Sequence, residues 1–283
     1  MEEERKPLSR RARALIIAAV VLFMIAGLLY DSNFRLETEE IELICEGLPE
    51  SFNGLRVVQL SDLHGREFGK NNEKLVNAVR AARPDVIFLT GDFIEEAEDI
   101  AVTETLVGQL SGLAPMYFIS GNHDWAGGNI EALAAVLKDS GVNYLRNDYD
   151  VFVRGGQSVI IAGVEDPNSL ADMRKPDELV DIINTNFPDS FKILLGHRNY
   201  WVDEYPDLQV NIIYSGHAHG GIIRLPLLGG LIGTNKELFP KYDAGVFTSG
   251  EYYMVVSRGF APAAHIPRVL NNPQILVTTL YCG

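Results

Sequence analysis

Leu55-Arg56-Val57-Val58-Gln59-Leu60-Ser61-Asp62-Leu63-His64-Gly65 decides the fold. A mostly apolar run of strand length gives way at once to Ser, Asp, His and Gly. That is the form of a buried strand whose C-terminal end carries a polar site. The pattern recurs. Asp85-Val86-Ile87-Phe88-Leu89-Thr90 ends in Gly91-Asp92, and a third run from Pro115 to Ser120 ends in Gly121-Asn122-His123-Asp124. Apolar residues at helical spacing separate the runs. Leu75, Val79 and Ala82 stop before Pro84, Val102, Leu106, Leu110 and Leu113 follow, and then Ile130, Leu133 and Leu137. Such β-α-β-α alternation predicts a parallel sheet covered by helices.

Past residue 150 strand patterns dominate, at 158–164, 192–195, 210–214, 252–256 and 275–280. Two of them also end in polar clusters, Gly196-His197 and Ser215-Gly216-His217-Ala218-His219-Gly220-Gly221. Two packed sheets with helices outside reconcile the two halves. No low-complexity linker or internal repeat divides the chain, so residues 40–283 form one domain.

Composition sets outer bounds. The chain has 283 residues, 47% hydrophobic and 22% charged, which excludes a mainly disordered protein. A net charge of −14 argues against nucleic acid as the main partner, because a phosphate backbone demands a positive field. The two cysteines, Cys45 and Cys282, exclude a disulfide framework and a four-cysteine zinc site. Whether they pair with each other stays open.

The N-terminus reads differently from the rest. Residues 1–13 contain Arg5, Lys6, Arg10, Arg11 and Arg13, and residues 14–30 carry no charge at all. As a helix those seventeen residues run roughly 26 Å, at the short end of a membrane span, with Tyr30 at the boundary. Leu28-Leu29-Tyr30-Asp31 offers a poor cleavage site for a signal peptide, and the segment has no polar face to suit a core helix. Ser9-Arg10-Arg11 is similar to a twin-arginine export signal, but Ala12-Arg13-Ala14 does not continue it. An uncleaved single-pass anchor fits best. The arginines keep residues 1–13 in the cytoplasm and place the domain outside the cell membrane.

Five of the six histidines fall in the polar clusters beside Gly or Asp. One histidine after a strand is usually a hydrogen-bonding residue, but five in that setting point to a metal site. Asp, His and Asn without Cys suit Mn, Fe, Zn or Mg, and seven candidate ligands are too many for one ion. Gly91, Gly121, Gly196 and Gly216 each precede a candidate, where a missing Cβ lets the backbone turn sharply.

The ordered set Asp62-x-His64, Gly91-Asp92, Gly121-Asn122-His123-Asp124, Gly196-His197 and Gly216-His217-x-His219 resembles the calcineurin-like metallophosphoesterases. Lys241-Tyr242-x-x-Gly245 and Ser257-Arg258-Gly259 resemble the exported or membrane-tethered bacterial branch. The resemblance implies a four-layer α/β/β/α sandwich following one N-terminal transmembrane helix. It also implies two divalent ions, one held by Asp62, His64, Asp92 and His219, the other by Asp92 as bridge with Asn122, His197 and His217. Hydrolysis of a phosphate ester by attack of a metal-bound hydroxide follows from the same resemblance. His123 would then hydrogen-bond the phosphoryl group or protonate the leaving oxygen, with Asp124 holding its ring.

Four residues near these motifs invite a role and are read as structural: Arg66, Trp125, Arg258 and His265. The apolar segment 222–233 is either a buried strand and turn or a rim that meets lipid. The reading is therefore a membrane-anchored di-metal phosphoesterase whose substrate is a phosphate ester, in one variant lipid-linked. A lipid-directed pyrophosphatase similar to the UDP-2,3-diacylglucosamine hydrolases is the alternative, but that chemistry is cytoplasmic and the topology is not. A non-catalytic metal-binding scaffold is the competing class, and it fits less well because no ligand position is missing.

Overall fold

A computed structural model describes residues 9–169, 175–250, 252–263 and 266–283. The first half contains α1 (Arg10–Phe34), β1 (Glu37–Cys45), β2 (Leu55–Leu60), α2 (Glu73–Ala82), β3 (Val86–Thr90), α3 (Asp99–Leu110), β4 (Met116–Ile119), α4 (Asn122–Ala126), α5 (Ile130–Asp139) and β5 (Val142–Tyr144). The second half contains β6 (Asp148–Arg154), β7 (Gln157–Gly163), α6 (Pro176–Asn186), β8 (Lys192–Leu195), α7 (Trp201–Glu204) and β9 (Ile212–Ser215). A small hairpin of β10 (Arg224–Leu225) and β11 (Gly229–Gly230) follows, then β12 (Gly245–Ser249), β13 (Tyr252–Val256) and β14 (Gln274–Cys282).

The strands form two six-stranded sheets, β1-β14-β2-β3-β4-β5 and β12-β13-β9-β8-β7-β6. Between them lies a mainly apolar layer that includes Phe52, Val57, Phe88, Tyr117, Ile161, Ile193 and Tyr214. The outer face of the first sheet packs on α2, α3 and α5 through Leu75, Val79, Leu106, Leu110, Leu133 and Leu137. Leu179, Val180 and Ile183 of α6 and Trp201 of α7 cover the outer face of the second. The four-layer α/β/β/α arrangement is thus observed. It exists because β2, β3, β8 and β9 are apolar on both faces, and each face needs a separate cover.

β2, β3, β4 and β5 run parallel, as the alternation predicts, but β14 pairs antiparallel with β2 and carries β1 parallel beside it. Leu276 stands opposite Gln59, and Glu37 opposite Gln274. The beginnings of β1 and β14 therefore lie level with the C-terminal end of β2. One buried polar residue joins the sheets there: Gln59 Nε2 donates to Thr90 Oγ1 (2.9 Å) and across the gap to Ser215 O (2.8 Å).

The helix α1 is 25 residues long, with a mean hydropathy of 2.5 over its most apolar window, none of which is buried. Ser9 caps it, its Oγ accepting from Ala12 N at 3.2 Å. Of the last turn, Ser32 is fully buried against the domain.

Candidate metal centre

Each strand that ends in a polar cluster delivers it to one place. Asp62 and His64 follow β2, Asp92 follows β3, Asn122 opens α4 after β4, His197 follows β8, and His217 and His219 follow β9. The donor atoms of Asp62, His64, Asp92 and His219 lie within 4.8 Å of one another, and so do those of Asp92, His197 and His217. Asp92 belongs to both groups. The sheets are stitched together at this level, because His217 N donates to Asp62 Oδ1 at 3.0 Å.

The backbone bends sharply to achieve this. Asp62 (φ 53°), His64 (46°), Asp92 (57°), His217 (66°) and His219 (47°) all sit in the left-handed region. Such conformations cost roughly 1–3 kcal/mol each and persist only where the surroundings enforce them. Gly91 also turns through positive φ, at 87°. Gly216 has a different reason: a Cβ there would strike Ser61 Oγ and lie 2.7 Å from Asp62 Oδ2. Its need is space rather than rotation.

The far nitrogen of the rings is held in place. His197 Nδ1 lies 2.8 Å from Thr90 O, which turns Nε2 toward Asp92 Oδ2 at 3.1 Å. His219 Nδ1 lies 2.9 Å from Ala261 O, and its Nε2 is 3.4 Å from Asp62 Oδ1. His64 Nδ1 faces Glu95 Oε1 at 2.9 Å, leaving Nε2 3.7 Å from Asp92 Oδ2. A ring nitrogen tied to a carbonyl or carboxylate leaves the other nitrogen free to bind a cation.

The donor set fits divalent ions. Asp92 Oδ2, His197 Nε2 and Asn122 Oδ1 are buried without a hydrogen-bond partner, although buried polar atoms normally have one. The spacing of Asp92 Oδ2 and His197 Nε2 is about what two neighbouring ligands of an ion with ~2.1 Å bonds keep. Burial opposes the charge on Asp92, yet His197 beside it holds the carboxyl well below the usual range and is itself pushed up to about 10, so the pair holds a proton where a cation would take its place. Burial also works against a charged His219 and pulls it down to about 4, which keeps its ring neutral and able to act as a ligand.

Asp124 stands apart from the imidazole it was expected to hold. It is fully buried, and its carboxylate accepts four backbone N–H bonds: Oδ2 from Asp92 and Gly121 (both 2.8 Å), Oδ1 from Phe93 (2.8 Å) and Ile94 (3.0 Å). Asp124 shapes the turn that presents Asp92. The carboxylate near the His123 ring is Glu95, with Oε1 3.6 Å from Nδ1. His123 itself donates its backbone N–H to Asp92 Oδ1 (2.8 Å), and its half-exposed ring meets the His64 ring edge-on at 4.7 Å between centroids. The sequence signal for Glu95 was an acid three residues after Asp92, in the same bend.

Arg198, next to His197, was also missed. Its Nε and Nη2 pair with Asp166 at 2.6 and 3.0 Å, and its Nη1 lies 3.0 Å from His217 Nε2. The residues read as structural are so placed. Trp125 Nε1 donates to Ser120 Oγ at 2.7 Å, and Arg258 Nη2 meets Glu37 and Glu39 at 3.1 and 3.3 Å. Arg66 is not exposed in the manner expected: it donates to Phe260 O (2.8 Å) and Asn33 O (2.7 Å). His265 lies outside the described residues. Cys45 and Cys282 are free, although they stand opposite each other on β1 and β14.

A family model for calcineurin-like phosphoesterases matches residues 55–221. The chain is 28% identical over 257 residues to YkuE of Bacillus subtilis, an uncharacterized metallophosphoesterase, covering 89% of this chain and 87% of that one. It is 29% identical over 221 residues to a transmembrane protein with metallophosphoesterase domain from Danio rerio, covering 74% of this chain but only 49% of the relative. Among solved structures, a dimetal phosphatase from Danio rerio superposes with a TM-score of 0.50 at 10% identity, over 81% of this chain and 94% of that one.

Proposed function

This chain belongs to the calcineurin-like phosphoesterase family, and from that premise we propose that it hydrolyses a phosphate ester at the surface of the membrane that α1 enters. It is a metal-dependent phosphoesterase with a dimetal centre. One observation carries the assignment of residues: two donor groups share Asp92, and Asp92 Oδ2, His64 Nε2 and His197 Nε2 among them are buried with no hydrogen-bond partner.

Asp62, His64, Asp92 and His219 would hold one ion, and Asp92, Asn122, His197 and His217 the other. Two ions in those places supply Lewis acidity at the phosphoryl oxygens and lower the pKa of water. The remaining work falls to side chains. His123 is the one imidazole of the cluster with a half-exposed ring, so it can meet the leaving oxygen and give it a proton. Glu95, between His64 and His123, orients both rings. Arg198 presents a guanidinium beside His217, fixed by Asp166, where it can receive a phosphoryl oxygen.

The charge pattern supports an anchor facing one way. Arg10, Arg11 and Arg13 open α1 with no acid in its first turn, an arrangement that opposes the helix dipole. Anionic lipid and the positive-inside rule account for it, with residues 1–13 cytoplasmic, 14–30 spanning and the enzyme domain of 40–283 outside.

The test uses the full chain in detergent micelles, freed of metal and then given Mn²⁺, Zn²⁺ or Mg²⁺. Bis-p-nitrophenyl phosphate and p-nitrophenyl phosphate are compared, with Asp92→Asn as blank. Metal-dependent turnover that is absent from the variant is the expected result. Equal turnover by Asp92→Asn would overturn the assignment of the centre.

A further inference from the structure

The apolar helix and the metal centre occupy the same end of the fold. Glu37, where β1 begins, stands beside Gln274, and β14 runs antiparallel to β2 with Leu276 opposite Gln59. The chain leaving α1 therefore enters the sheet level with the strand end that carries Asp62 and His64. Hydrogen bonds hold the last turn of α1 there. Asn33 Oδ1 accepts from Arg268 N (3.0 Å), its Nδ2 donates to Arg268 O (2.9 Å), and Ser32 Oγ accepts from Leu270 N (2.9 Å). Arg66, two residues past His64, donates to Asn33 O at 2.7 Å.

The segment gripped in this way also supports a proposed ligand. Asn271 Nδ2 donates to His219 O at 2.8 Å, and the fully buried Arg268 donates through Nη1 to Ala261 O (2.6 Å), the carbonyl beside His219 Nδ1.

Exposed apolar side chains continue from the segment that holds the foot of α1. Leu227 and Leu228 form the tip of the β10–β11 hairpin, which starts five residues after His219, and both are exposed, Leu227 completely. Leu227 lines one cleft together with Leu270, the residue bonded to Ser32. Leu238, Phe239 and Ile266 are exposed as well. Leu227 sits at φ 68°, a conformation a leucine rarely adopts. Exposed apolar side chains in this number, on segments that follow His219 and flank the bonds to α1, mark a contact with something apolar. The feature that names the contact is α1 itself, an unburied apolar helix fixed to Leu270 of that cleft.

We propose that the metal-bearing end of the domain rests on the bilayer that α1 spans. The leucine hairpin, Leu238–Phe239 and Leu270 lie in the boundary between headgroups and acyl chains, and the site opens onto the membrane surface. The inference rests on the anchored reading above and names the face that meets lipid.

The experiment uses full-length protein in phosphatidylcholine vesicles. An environment-sensitive nitrobenzoxadiazole label is placed at Leu228→Cys, and for comparison at Lys138→Cys, in a Cys45→Ala, Cys282→Ser background. Lys138 is near the end of α5, just before β5, at the opposite end of the first sheet. The expected result is a blue-shifted emission at 228, quenched by spin-labelled lipid, with a water-like, unquenched label at 138. Leu228→Trp in the wild-type cysteine background, read by brominated-lipid quenching against the unmodified protein, repeats the measurement if the labelled background folds poorly. Vesicle flotation is read in parallel. Flotation with an unquenched probe at 228 overturns the membrane-facing site alone, and loss of flotation overturns the anchor and this proposal with it.

Discussion

Phe88 and Asp92 are four residues apart, yet they belong to opposite kinds of structure. Phe88 lies between the sheets, fully buried, its ring 5.1 Å from that of Tyr214 and 6.2 Å from that of Tyr117. Its neighbours there are apolar and extended. Asp92 is equally buried, but it sits at positive φ with an unpaired oxygen among imidazoles and carboxylates. Burying a side chain such as Phe88 contributes about 1.5–3 kcal/mol. Each left-handed donor costs a similar amount. The difference shows a division of labour along single strands: the middle of β2, β3 and β9 stabilises the fold, and their ends spend that stability on a strained, charged cage.

Substitutions on the two sides of this division are expected to separate cleanly. The largest effect falls on Asp92→Asn, which should drop turnover to background while leaving the melting temperature of the metal-free protein unchanged or raised. Calorimetry after chelation checks this, and a clear loss of stability would mean that the cage also holds the fold. His123→Ala should lower kcat by roughly 10²–10⁴, the range for a lost proton donor. Elemental analysis should find its metal content intact; metal loss would move His123 from the proton-transfer role into the ligand set. Phe88→Ala sits on the other side and should cost about 3–5 kcal/mol in urea unfolding, with turnover per folded molecule preserved. Glu95→Gln should be the mildest, lowering kcat or metal affinity by roughly 10–100-fold, as expected for a group acting through its neighbours. Metal titration and the kcat pH profile distinguish its hold on His64 from its hold on His123.

The same division governs what the sequence makes legible. Strands such as β3 and β8 are visible because both of their faces are apolar, and polar residues cut them off abruptly. The donors stand out because Asp, Asn and His follow Gly at those cuts. β1 is far less visible: its Glu37, Glu39, Glu40 and Glu42 face outward or sideways on a sheet edge, and its partner β14 is at the far end of the chain. The resemblance and the adjacency of the two residues suggest Asp124 as the partner of His123. The helical turn of α4 instead sends its carboxylate to the N–H groups of 92–94. Glu95 and Arg198 acquire meaning only through neighbours that folding brings in, His123 for one and Asp166 for the other. Adjacency along the chain carried the ligands; adjacency in space carried everything that orients them.

Only Arg35 and Leu36 separate α1 from β1, and Ser32, Asn33 and Asp31 are already bonded to 268–272. A flexible linker would act as a leash, letting an enzyme sweep a volume set by linker length. Here the attachment is a bracket. The position of the domain against α1 is written in hydrogen bonds, so lengthening the connection between Phe34 and Glu37 would change how the helix carries the enzyme without touching a single residue of its site.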